Sequence, residues 1–102
     1  MNDKELAQKI IQVFLKTIPN NIGRLEKYIV ENKISEMDIE AHNIKGASAN
    51  IKAERLRAVA ADIEKFGKDM DSDGAKRLLP KLKEEFEILK KVLEMFIHNK
   101  EE

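Results

Sequence analysis

Apolar residues along the chain recur at three- and four-residue steps, the spacing of amphipathic helices. Five helical segments follow from this pattern. The first runs from about Asp3 to Thr17 on a stripe of Leu6, Ile10, Val13, Phe14 and Thr17, which Ile11 and Leu15 widen to more than one face. Ile18-Pro19 is expected to end it, because the residue before proline is pushed out of the helical region. Pro19 suits the first position of a second helix, whose stripe is Ile22, Leu25 and Ile29. Ser35, with Asp38 three residues on, resembles a capping box and opens a third helix from about Glu36 to Asn50. A fourth covers Ala53 to about Lys68 on Leu56, Val59, Ala60, Ile63 and Phe66. Asp69 to Gly74 reads as a loop. The last helix runs to about Asn99 on Leu79, Leu82, Phe86, Leu89, Leu93 and Phe96. It either starts at Pro80 or is kinked there. The predicted fold is all-α: an antiparallel up-and-down four-helix bundle, with an additional N-terminal helix packed across it as a lid.

Composition supports that class. The 102 residues hold only 4 Gly and 2 Pro, with one Thr and four Val, a poor balance for strands. The length suits a single domain, 1–102. There is no cysteine, which excludes disulfides and thiolate chemistry and suits a reducing cytoplasm. Lys plus Arg and Asp plus Glu are 19 each, so the basic excess of a nucleic-acid binder is missing. No apolar run approaches the ~20 residues of a membrane span. The first residues do not read as a signal peptide. Because the helix assignment leaves no large apolar surface over, a monomer is expected.

The third helix carries the candidate chemistry. At 100° per residue, Met37, Ala41, Ile44, Ser48 and Ile51 share one narrow arc, the core side. His42, Lys45, Gly46 and Ala49 share a neighbouring arc and are mutual neighbours there. Gly46 is costly in a helix interior, by about 1 kcal/mol against alanine. Two readings account for it: room for a neighbouring helix of the same chain, or room for another molecule beside the imidazole. An ordinary imidazole, with a pKa near ~6.5, is largely a neutral nucleophile at cytoplasmic pH. Such a ring can accept a phosphoryl group on one nitrogen while the other, protonated, requires an acceptor to fix the tautomer. Lys45 is placed to offset the added charge.

The stretch from Ala41 to Lys68, AHNIKGASANIKAERLRAVAADIEKFGK, resembles the histidine-containing phosphotransfer (HPt) domains of bacterial two-component phosphorelays. Ala41, His42, Ile44, Lys45, Gly46, Ser48, Ala49, Ile51, Ala53, Leu56, Ala60, Glu64, Gly67 and Lys68 carry the likeness. The resemblance implies that His42 is the phosphoacceptor, that Lys45 lies near the phosphoryl oxygens, and that Glu64 hydrogen-bonds the other imidazole nitrogen. It implies a phosphoryl group passed from a receiver-domain aspartate to His42 and on to another receiver. The partners would be response-regulator receivers and a hybrid histidine kinase. No cofactor would be bound by this chain, Mg²⁺ being supplied by the receiver. Docking candidates are Gly46, Ala49, Ile11, Leu15, Lys52 and Lys68. Lys52 stands where the family usually has glycine; a lysine in a left-handed turn costs roughly 1–2 kcal/mol, and Asn50 is the alternative residue for that role.

Other readings stay open on sequence alone. The chain would also suit the phosphotransfer domain of a chemotaxis-type kinase, or a helical interaction module in which His42 is incidental. A metal-binding bundle finds little support, since only Asp38 and His42 have workable spacing and His98 lies near the end of the last helix. Both a free-standing protein and an excised domain of a hybrid kinase stay open, Met1 and the charged tail being compatible with the first.

Overall fold

The computed structural model describes residues 2–99; Met1, residues 100–102 and the side chains of His98 and Asn99 lie outside the described residues. Four helices follow in order: α1 (Asp3–Val30), α2 (Ile34–Asn50), α3 (Glu54–Lys68) and α4 (Ser72–Asn99). Each packs on its chain neighbours, and α1 closes the ring on α4, giving an up-and-down bundle of 48 × 22 × 19 Å. Asn2 caps α1, its side chain accepting from the Glu5 N–H at 2.8 Å.

The expected extra N-terminal helix is absent, because the first two segments are one continuous helix with Pro19 inside it. A proline there removes a hydrogen bond and costs about 3 kcal/mol in isolation. Burial outweighs it. Phe14, Ile18, Ile22, Leu25 and Ile29 form one buried stripe across the proline, while Pro19 itself is exposed. Breaking the helix at Pro19 would pull half of that stripe off the core. The last helix likewise runs through an exposed Pro80, having started eight residues earlier at Ser72.

Ser35 is not the cap of α2. The helix begins at Ile34, after a Lys33 that makes no side-chain cap, and Ile34 packs against the core. The Asp69–Gly74 loop is shorter than its composition suggests, with Ser72 to Gly74 already helical. The Asp71 side chain accepts from the Gly74 N–H at 2.9 Å. Gly74 is needed for close packing. A Cβ there would lie 2.5 and 2.7 Å from two ring carbons of Phe66. Gly74→Ala is therefore expected to cost about 1–3 kcal/mol, read from urea denaturation.

The three turns are built alike. Asn32, Lys52 and Met70 each sit at φ near +60° (58°, 60° and 57°), one residue beyond the C-caps Glu31, Ile51 and Asp69. At each turn that residue's N–H bonds the carbonyl three residues back, and the next N–H bonds the carbonyl five back, as in Lys52 to Ala49 (3.0 Å) and Ala53 to Ser48 (2.8 Å). This is the Schellman arrangement, usually completed by glycine. Lys52 itself takes the left-handed role; Asn50 remains helical. Lys52→Gly is expected to raise stability by about 1 kcal/mol, seen as a higher urea midpoint, because strain is relieved against some gain in unfolded-chain entropy.

The core joins all four helices, with Ile18, Leu25, Met37, Ile44, Leu56, Ile63 and Leu82 fully buried. Phe14 meets Phe86 across α1 and α4, ring centroids 6.3 Å apart. The outer ends differ from expectation. Leu6, Ile10 and Val13 are exposed, as are Ile88, Val92, Met95 and Phe96. α2 and α3 are shorter than α1 and α4, so the N-terminal end of α1 and the C-terminal end of α4 project past the α2–α3 turn. The premise behind an expected monomer, that no apolar surface is left over, does not hold.

Candidate functional site

The rotation of α2 is set by its buried side. Met37, Ala41, Ile44 and Ser48 are fully buried, and the Ser48 hydroxyl donates to the Ile44 carbonyl at 2.7 Å. Glu40, also buried, faces α1, where Arg24 meets it at 2.8 Å. Two residues on, about 200° round the helix, His42 emerges on the open side. Its side chain is 64 % exposed.

α3 supplies the ring's partner. The buried Glu64 places Oε2 2.8 Å from His42 Nδ1 and receives Lys45 Nζ on Oε1 at 2.5 Å. Lys68 Nζ lies 3.7 Å from Glu64 Oε2 and 3.4 Å from both oxygens of Asp38. Burial pushes the Glu64 carboxyl up. Hydrogen bonds from Lys45 and His42, with the charges of Lys45 and Lys68, outweigh that and hold it below the ordinary carboxylate range. An ionised carboxylate facing Nδ1 requires the ring's proton on Nδ1. The Nε2 lone pair is then directed away from Glu64, on the exposed side of the ring.

The structure thus brings together His42, Lys45, Glu64 and Lys68. Lys45 is engaged with Glu64 here rather than standing free beside the ring. Gly46 and Ala49 are exposed on α2, and a Cβ built on Gly46 meets nothing within 4 Å. No other helix of the described chain comes close, so the glycine does not serve internal packing. Lys52 lies apart at the α2–α3 turn, and Ile11 and Leu15 are half-buried on α1, Leu15 against the core. Two neighbours escaped the sequence pattern. Asp38, read from sequence only as a capping-box residue and by its i, i+4 spacing to His42, anchors Lys68. Ile39 is exposed one turn before His42, an apolar side chain on an otherwise polar face. Among the described residues, no group of three or more His, Asp or Glu is arranged to hold a metal.

Residues 9–96 match the model of the Hpt domain. The chain belongs to the Hpt family. A curated relative, the phosphorelay intermediate protein rdeA of Dictyostelium discoideum, is 26% identical over 97 residues. The alignment covers 95% of this chain and 38% of the relative, so the Hpt chain spans well under half of that protein's length. No solved structure matches it significantly. Among the described residues, no helix of this Hpt domain is long and apolar enough to cross a membrane.

Proposed function

We propose that this Hpt domain is a phosphorelay intermediate that carries a phosphoryl group on Nε2 of His42. The observation that carries the reading is a ring tied at Nδ1 to a buried carboxylate and otherwise open to solvent. The donor would be an aspartyl phosphate of a receiver domain, the receiver of a hybrid histidine kinase being one source. The Nε2 lone pair attacks phosphorus in line, and the bond from phosphorus to the aspartyl oxygen breaks with its electron pair left on the carboxylate. The same path reversed delivers the group to a second receiver. Mg²⁺ held by the receiver supplies most of the charge stabilisation, as phosphoryl transfer requires. This chain binds no cofactor in that scheme and acts as a carrier, in the cytoplasm with its partners.

Glu64 fixes the tautomer and stabilises the positive charge that develops on the ring as Nε2 attacks. Lys45 and Lys68 offset the added phosphoryl charge, about −1.5 to −2 near neutral pH. Gly46 and Ala49 leave low ground for the receiver, and Ile39 offers it an apolar contact.

The test is incubation with a ³²P-labelled phosphorylated receiver and Mg²⁺. Acid-labile, alkali-stable label is expected on the chain, and none on His42→Gln. Equal labelling of that variant would defeat the reading.

A further inference from the structure

We propose that the projecting ends of α1 and α4 dock on the same ends of a second copy of this chain, forming a weak two-fold dimer. The inference goes beyond phosphotransfer and does not depend on it. Over the body of the bundle, α1 and α4 form one layer and α2 and α3 cover it. Past the α2–α3 turn that cover stops, and α1 and α4 run on together. Phe14 contacts Phe86 near the turn, and the Gln8 side chain reaches the Ile97 carbonyl at 3.5 Å further out.

Two exposed apolar stripes are left on the projecting ends, and Ile10, Val13, Ile88 and Val92 among them border the ends of α2 and α3. They are Leu6, Ile10 and Val13 on α1 and Ile88, Val92 and Met95 on α4, each between 47 and 64 % exposed. Two grooves join them to the body. One, of about 190 Å³, lies between α1 and the end of α2 and takes in Ile10, Val13 and Ile51. The other, also about 190 Å³, lies between the start of α3 and α4 and takes in Ala53, Ile88 and Val92. Exposed apolar surface of this kind on a half-layer of helices marks a surface for association.

A second copy fits that vacancy in one orientation. Laid face to face with both bodies on the same side, the two α2–α3 pairs collide. With the bodies pointing in opposite directions, the four projecting ends form a short antiparallel four-helix bundle, α1 on α1 and α4 on α4. Each end then abuts the other copy's α2–α3 turn. The contact is isologous and closes at two copies. Charge agrees with it. Glu5 and Lys9, both exposed, lie on the outer flank of the α1 stripe. Antiparallel pairing sets Lys9 of one copy beside Glu5 of the other, twice per dimer. The overlap is about 10–12 residues long, or ~15–18 Å, and two helices wide, ~20 Å. That footprint is smaller than the about 800 Å² per partner of a tight complex, so a Kd on the order of 100 μM is expected. His42 lies nine residues, or ~13 Å, before Ile51 and stays outside the contact.

The test is sedimentation velocity of the 102-residue chain from ~5 μM to ~1 mM, a range that brackets the expected Kd. The mean mass is expected to rise from 11.7 kDa toward twice that value. Ile10→Glu and Val92→Glu, at half-exposed sites, are expected to stay monomeric throughout with thermal midpoints near wild type. His42→Gln is expected to associate as wild type, which separates this proposal from the phosphotransfer reading. A constant single-chain mass over the range overturns the dimer. So does association that survives both substitutions, or growth beyond two copies. If both substitutions slow phosphoryl uptake and the wild type never associates, the face serves a receiver and the proposal falls.

Discussion

Gly46→Gln is expected to lower the rate of phosphoryl uptake by about 100-fold, while Gly46→Ala makes the fold more stable. The two effects share one cause. A helix-interior glycine costs about 1 kcal/mol against alanine, and at Gly46 no contact of the described chain offsets that cost. Alanine should therefore raise the thermal midpoint by roughly 4–8 °C, the usual response of a domain this size to 1 kcal/mol. A glutamine side chain one turn from His42 instead occupies the space through which a phosphorylated aspartate must reach Nε2. A misplacement of about 1 Å in such a transfer costs on the order of 100-fold. Thermal denaturation and single-turnover label transfer measure the two effects separately. A glycine retained for internal packing predicts the opposite, a destabilised alanine variant.

Glu64→Ala is expected to slow transfer by about 10–100-fold, the size of loss seen when the hydrogen-bond partner that orients a metal-bound imidazole is removed. Two consequences combine: the Nδ1 proton loses its acceptor, and the Lys45 ammonium loses its nearest carboxylate. Glu64→Gln should recover much of the rate, because the amide oxygen still accepts from Nδ1–H. The two variants also differ from wild type in acid. The Glu64 carboxyl is held below its ordinary value of 4.5 by Lys45, His42 and Lys68 against the opposing effect of burial. Its stabilisation is therefore present above that value and is lost as pH falls through the lowered one. In Glu64→Gln this contribution is absent at every pH. The stability of the variant should fall less steeply below pH 4.5 than that of wild type, as urea titrations at each pH would record.

The histidine helix was legible because two independent patterns coincide on it. The buried arc of Met37, Ala41, Ile44 and Ser48 fixes which way α2 faces, and that leaves His42 and Gly46 outside. Glu64 was named through the family resemblance, and periodicity alone does not separate it from a solvated helix charge. Lys68 and Asp38 required coordinates, since their pairing depends on side-chain reach between two helices. Helix boundaries are hidden in the sequence where local preference opposes burial. Pro19 signals a break locally, yet the stripe from Phe14 to Ile29 is worth more intact. The turns lack their usual marker, since Lys52 and Met70 hold positions that glycine generally fills. The stripe of Leu6, Ile10 and Val13 was real, but periodicity records which side of a helix is apolar and not whether anything covers it. The expected lid does not form because α1 runs unbroken through Pro19, and the stripe stays exposed because α2 and α3 end before reaching it.

The central claim is that Nδ1 of His42 is committed to Glu64 and that Nε2 does the chemistry. It is tested most directly by ¹⁵N NMR of the chain, labelled at its histidines, before and after phosphorylation by a receiver. The account predicts a proton on Nδ1 throughout and phosphorus coupled to Nε2 of residue 42. Phosphorus on Nδ1, or on any other residue, contradicts it.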